Sequence, residues 1–146
     1  MYRIRKQFRF EAAHQLDRAF SKDCSDSIHG HSYVVELFLT SKCLDGDGMV
    51  IDFGHLRDAV EEIKAAFDHT LILSHKLRVE YGAIPCKKIV ELVCSPTAEV
   101  MANIFFDGVA RKVMGLHPPA SNGLRLEKVR VHETTTGWAE YEEDTI

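Results

Sequence analysis

The chain has 146 residues, 45% hydrophobic and 27% charged, with a formal net charge of -4 at pH 7. That balance fits one ordinary globular domain over residues 1–146 and excludes a disordered chain or a coiled coil. The net acidity argues against nucleic acid as a partner, and no apolar run is long enough to span a bilayer, so no membrane partner is expected either. The N-terminus, Met1 to Lys6, has no apolar leader stretch, and the four cysteines form no CxxC pair. Reduced thiols in a cytoplasmic setting are therefore expected. The 8 histidines are the unusual count, and histidine is the commonest metal ligand.

In chain order, residues 2–14 alternate. Tyr2, Ile4, Phe8, Phe10, Ala12 and His14 share one parity, and Arg3, Arg5, Gln7, Arg9 and Glu11 share the other. This predicts a half-buried strand. Residues 31–40 predict a second, with His31, Tyr33, Val35, Leu37 and Leu39 on one face and a mixed set including Glu36 on the other. Asp45-Gly-Asp-Gly48 is a turn, and 49–52 read as a short extended piece. A helix follows, N-capped by Asp52, with Leu56, Val60, Ile63 and Phe67 at helical spacing. Residues 70–95 read as a loop or an extra hairpin, with 88–93 extended. Ser95-Pro96 is expected to start a second long helix, Ser95 as N-cap, ending near Gly115 and Pro118. A turn at Asn122-Gly123 leads to strands over 124–133 and 138–142. The order ββααββ predicts an α+β fold: a four-stranded antiparallel sheet with two helices on one face and open edges that invite subunit pairing.

The strongest local signal is Cys24 followed by His29-Gly-His31. His29 and His31 are two apart on a strand, so both rings point to one side. His14 ends the first strand on its apolar parity. If the two strands pair, three imidazoles converge, the pattern of a catalytic zinc site with an open fourth position. A His at a strand end is more often packed or capping, and His-x-His alone is a weak signal. Cys24 has two readings, a fourth ligand that closes a structural site or a nearby reactive thiol. Asp68-His69 is either a catalytic pair or a helix end where His69 meets the dipole. Glu133 shares parity with Val129 and Val131, so it is either a buried carboxylate in need of a partner or a strand-end residue in solvent. Glu99 lies in the first turns of the second helix, where the bland reading is dipole complementarity. Cys43, Cys86 and Cys94 read as inert, His75 has no visible partner, and His117 and His132 have bland readings.

Taken together, Phe10-Glu-Ala-Ala-His14, Cys24 with His29-Gly-His31, Val50-Ile-Asp-Phe53, Asp68-His69, Pro96-Thr-Ala-Glu99 and Val131-His-Glu-Thr134 resemble the 6-pyruvoyl- and 6-carboxy-tetrahydropterin synthases over nearly the whole chain. The resemblance implies the tunnelling fold (T-fold): three subunits joining their sheets into a barrel, two such rings stacking into a hexamer, and active sites between subunits. It implies 7,8-dihydroneopterin triphosphate as substrate and Zn2+ as cofactor. His14, His29 and His31 would hold the metal, Cys24 would be the base with Asp68 and His69 as its relay, and Glu133 would anchor the pterin. Thr97 and Glu99 join Glu133 in the implied substrate-binding set. Arg3, Arg5, Lys6 and Arg9 are triphosphate candidates by composition only.

The expected reaction forms 6-carboxy-tetrahydropterin with release of acetaldehyde and triphosphate, for 7-deazaguanine (queuosine) synthesis. The alternatives are a 6-pyruvoyl product for a biopterin-type cofactor, a zinc-stabilised assembly protein without catalysis, and a pterin-binding module. The segment from Lys76 to Ser95 is longer than in compact members. The spacing from Cys24 to His29 is intermediate between the two product branches. Asp26 stands where a third branch carries Glu.

Overall fold

The computed structural model describes residues 1–116 and 123–143; the expectations placed on His117, Pro118 and Asn122 fall outside them. Strand β1 (Tyr2–His14) carries the expected alternation, with Phe8, Phe10, Ala12 and His14 buried between exposed neighbours. It pairs antiparallel with β2 (His29–Ser41) along its whole length, from Tyr2 opposite Ser41 to His14 opposite His29. The loop between them holds a single helical turn, α1 (Lys22–Ser25).

Asp45 makes the expected turn, its carboxylate accepting from the N–H groups of Asp47 and Met49. Residues 49–52 form bends rather than a strand, because Val50 and Ile51 both turn into the core. Helix α2 (Phe53–Phe67) is capped as expected: the Asp52 carboxylate accepts from Gly54 N–H.

The remaining elements are β3 (Thr70–Ser74), α3 (His75–Tyr81), β4 (Ile89–Leu92), α4 (Ala98–Leu116), β5 (Arg125–His132) and β6 (Trp138–Glu142). The sheet has six strands in the order β4-β3-β1-β2-β5-β6, not the expected four. The difference lies in 70–95. There β3 runs parallel to β1 and to β4, and α3 lies between the two parallel strands in sequence, so the segment is a crossover rather than a hairpin. All five residues of β3 are buried, and a strand buried on both faces has no polar alternation to betray it. The expectation of helices on one face alone is corrected here too. Ile72 joins the main core, whereas Leu71 and Leu73 turn the other way and pack against Leu77 of α3.

Helices α2 and α4 cover the main core face. Phe10 stacks on Tyr33 at 4.8 Å and meets Phe67 of α2 and Phe105 of α4 edge-on. The start of α4 lies two residues later than expected. Thr97, not Ser95, caps it, accepting from Val100 N–H at its hydroxyl and from Met101 N–H at its carbonyl. The Ser95 hydroxyl instead accepts from Asp17 N–H, tying the α1 loop to the α4 entry. Gly123 has a φ of 70°, consistent with a turn into β5.

The opposite face carries one carboxylate that is 5% exposed, Glu36 of β2. It accepts from Arg5 at 2.6 Å and from His132 at 2.7 Å, with Arg130 at 3.6 Å. Burial pushes its carboxyl up, and the hydrogen bond to His132 together with the Arg5 and Arg130 guanidiniums outweighs that and holds it below the ordinary range. Replacing Glu36 with alanine should cost about 2 kcal/mol, because charge-assisted bonds are lost and like charges are left together. Urea denaturation measures this; an unchanged midpoint would show that the cluster contributes nothing.

Candidate metal centre and active site

The pairing of β1 with β2 sets His14 opposite His29 and Ala12 opposite His31. One ring nitrogen from each of His14, His29 and His31 lies within 4.8 Å of the others. Among the described residues this is the only His, Cys, Asp and Glu group close enough to hold an ion.

Two of the rings are oriented by the backbone. His14 is fully buried, and its Nδ1 is 2.9 Å from the Pro96 carbonyl. His29 Nδ1 is 3.1 Å from the Ser27 carbonyl. A carbonyl only accepts, so each Nδ1 carries the proton and each Nε2 faces the cluster with a lone pair. The two Nε2 atoms stand 3.1 Å apart. His31 Nε2 is buried without a hydrogen-bond partner. Lone pairs gathered in this way, with an orphaned ring nitrogen beside them, fit a bound cation and fit little else.

Burial holds His14 down to a pKa of about 4. Burial also lowers His31, against the opposing pull of Glu133. Neutral rings are what metal ligation requires. Between pH 6.5 and 4 the unfolded chain takes up a proton at His14 that the folded chain refuses, so metal-free stability falls as pH falls, by on the order of 3 kcal/mol. Urea denaturation in chelator from pH 7 to 4.5 should show this slope; a flat profile would contradict the buried neutral ring.

Glu133 follows β5 directly and is half-buried, between the two readings its sequence position left open. Its carboxylate lies 3.3 Å from His14 Nε2 and 3.9 Å from His31 Nε2. The turn to β6 fixes it, with Glu133 and Thr134 N–H both donating to the Gly137 carbonyl. Glu133, Thr134, Thr135, His132 and Gln7 line an open cleft of about 500 Å³ on one side of His31. A second cleft of about 570 Å³ also reaches His31, lined by Glu11, Ile28, His69 and Cys86 among others. Cys86, read as inert in sequence, thus lines the same cleft as His69.

Asp68 and His69 follow α2. The Asp68 carboxylate accepts from Glu11 N–H at 2.8 Å, and His69 N–H donates to the Glu11 carbonyl. Lys88 donates to the Ala65 and Asp68 carbonyls at the same helix end. These bonds hold His69 at a φ of 55°, a left-handed conformation, with its side chain 80% exposed. His69 Nε2 is 3.9 Å from Asp68, beyond hydrogen-bond distance. Replacing His69 with glycine should raise stability by about 1 kcal/mol by removing the left-handed cost. A destabilised variant in urea denaturation would show instead that the imidazole packs.

Cys24 sits half-buried in α1, in the loop whose ends are His14 and His29. Its carbonyl accepts from Leu16 N–H. The three-imidazole cluster does not include it, and it lines neither of the two described clefts. Thr97 is engaged as the α4 cap, and Glu99 is exposed on that helix's first turn. His75 and His132 have partners that sequence did not reveal, Glu91 and Glu36. The Pro96 and Ser27 carbonyls that orient the rings left no signal in sequence either.

Residues 3–144 match the family model for 6-pyruvoyl tetrahydropterin synthase. The chain belongs to that family. It is 31% identical over 168 residues to a 6-carboxy-5,6,7,8-tetrahydropterin synthase of Aquifex aeolicus, covering 98% of this chain and 99% of that one. A Helicobacter pylori protein of the same name is 30% identical over 141 residues, covering 94% of this chain and 70% of its own. In fold, the chain is similar to the 6-pyruvoyl tetrahydropterin synthase of Plasmodium vivax, with a TM-score of 0.71 at 19% identity over 99% of this chain and 100% of that one. An uncharacterised protein of Wolinella succinogenes superposes with a TM-score of 0.78 at 21% identity over 98% of each chain. The architecture is therefore the α+β T-fold of this family, with a curled six-stranded sheet and four helices among the described residues. No helix among the described residues is long and apolar enough to cross a membrane.

Proposed function

We propose that the chain is a zinc-dependent 6-carboxy-5,6,7,8-tetrahydropterin synthase. It acts on 7,8-dihydroneopterin triphosphate with uptake of water, releases acetaldehyde and triphosphate, and serves 7-deazaguanine synthesis. The observation that carries the reading is the group of three imidazoles, two of them oriented by backbone carbonyls, opening beside Glu133 and its cleft. The names of relatives at about 30% identity support the product.

His14, His29 and His31 would hold the ion. Zinc bound there would acidify the hydroxyls of the substrate side chain and stabilise developing negative charge. Glu133 accepts two parallel hydrogen bonds from the 2-amino and ring N–H groups of the pterin, a charge-assisted bidentate contact. Thr134 and Thr135 line the same cleft with small hydroxyls. Cys24, on the loop that joins two ligands, takes the proton as thiolate. His69 and Asp68 relay it. The relay is completed between subunits of a homo-oligomer in this reading, a ring of three chains stacked in pairs. Thr97 and Glu99 stay on the substrate side in this reading, next to the Pro96 carbonyl that holds His14. The setting is cytoplasmic.

The absence of Cys24 from the imidazole cluster weighs against a closed structural zinc site and so against the reading as a non-catalytic assembly protein. The test is mass spectrometry of products after incubating zinc-loaded protein with 7,8-dihydroneopterin triphosphate and an acetaldehyde trap. A 6-carboxy product with trapped acetaldehyde is expected. A 6-pyruvoyl product without acetaldehyde would move the chain to the biopterin-type branch, and intact substrate with zinc bound would overturn both.

A further inference from the structure

His132 lines the cleft beside Glu133, and the proposed pterin contact makes no use of it. It is the last residue of β5, opposite Val34 of β2 and Trp138 of β6. Its Nε2 stands 2.7 Å from the Glu36 carboxylate, which lines the same cleft.

Glu36 is fixed from three sides. It is buried, Arg5 donates to its Oε1 at 2.6 Å, and Arg130 stands 3.6 Å from the Oε2 that faces His132. Arg130 in turn lies over the Trp138 ring at 4.1 Å and donates to Glu140 at 2.9 Å. An ionised carboxylate only accepts, so His132 Nε2 carries the proton of that bond. In the neutral ring Nδ1 is then a lone pair, and among the described residues no group donates to it. The Glu36 network thus presents an acceptor on a cleft-lining ring, next in the chain to the carboxylate of Glu133.

A ligand that satisfies both residues must bring N–H groups to both. The 2-amino and adjacent ring N–H groups assigned to Glu133 are the same in oxidised and reduced pterins. Position N8 is different: it is an N–H in a 7,8-dihydropterin and a bare acceptor nitrogen in the oxidised ring. An acceptor placed against an N–H gains a hydrogen bond. Placed against a second lone pair, it leaves both groups unpaired.

We infer that His132 is a specificity-determining residue of the Glu133 cleft, accepting the N8–H that distinguishes a 7,8-dihydropterin from its oxidised form. The inference rests on the pterin reading under the proposed function and deepens it. Glu133 selects the pterin ring, and His132 selects its reduced state.

The test is anaerobic calorimetric titration of the zinc-loaded full chain with 7,8-dihydroneopterin and with neopterin, neither of which carries the triphosphate. Wild type should bind the dihydro ring about tenfold or more tightly than the oxidised one. His132→Phe, checked for folding by circular dichroism, should bind the two alike, with neopterin held no more weakly than by wild type. His132→Asn places an amide oxygen where Nδ1 stood and is too short to reach Glu36 as Nε2 does. It should keep the wild-type affinity for 7,8-dihydroneopterin. Loss of that affinity in both variants alike would show that only the Glu36 bond matters and would overturn the inference. A wild-type chain that binds both rings equally would overturn it as well, while leaving Glu133 as the anchor. A wild-type chain that binds neither ring would overturn the pterin reading and this inference together.

Discussion

Replacing His29 with alanine should empty the metal centre and lower turnover by about 10³ or more. A bound metal supplies several kcal/mol of charge stabilisation at the reacting oxygen, and each 1.4 kcal/mol is tenfold in rate. His29 suits this test better than His14. It is half-buried at the start of β2, whereas His14 is sealed in the core and its loss would also leave a cavity. The variant should therefore keep the melting temperature of chelator-treated wild type while losing the additional stability that zinc confers on the native protein. Elemental analysis and product formation check the two halves together. A His29→Ala protein with one zinc per chain and wild-type turnover would remove His29 from the ligand set.

Cys24→Ala should do the reverse, keeping the metal and losing turnover by about 10²–10⁴, the usual contribution of a positioned base. The reason is geometric. Cys24 rides on the loop between two ligands but stands outside the group of donors that can share one ion. A Cys24→Ala protein that loses zinc as well would show that the thiolate is a ligand and the centre structural. One that keeps both zinc and full turnover would show that the base lies elsewhere, with Cys86 in the His69 cleft the first place to look.

Both predictions depend on features that sequence revealed unevenly. The convergence of His14, His29 and His31 was legible because two alternating strands carry parity along their length, and pairing them could bring the rings to one end. Glu133, at a strand end where parity weakens, was left open between core and solvent. What orients the rings was not legible, since the Pro96 and Ser27 groups that hold them are main-chain carbonyls with no residue preference. Glu36 was hidden too. It sits on the polar parity of β2, and only the six-stranded sheet shows that Arg5, His132 and Arg130 cover it.

The largest misreading, at 70–95, has one cause. Thr70 to Ser74 is buried on both faces, between β1 and β4 in the sheet and between the main core and α3 across it. A run of this kind reads equally well as helix, strand or core loop. That strand follows directly on His69 and, with Lys88 at the entry to β4, fixes the exposed imidazole in its left-handed conformation. The 70–95 segment therefore bears on the placement of His69, not only on the sheet edge.

The claim on which the rest depends is that a metal held by the three imidazoles is catalytic. The most direct measurement is turnover of 7,8-dihydroneopterin triphosphate against zinc content per chain, as a chelator removes the metal and added zinc restores it. Activity should fall in proportion to zinc lost, reach the level of His29→Ala when the metal is gone, and return with one zinc per chain. A zinc-free chain that still turns over at the full rate would contradict the account.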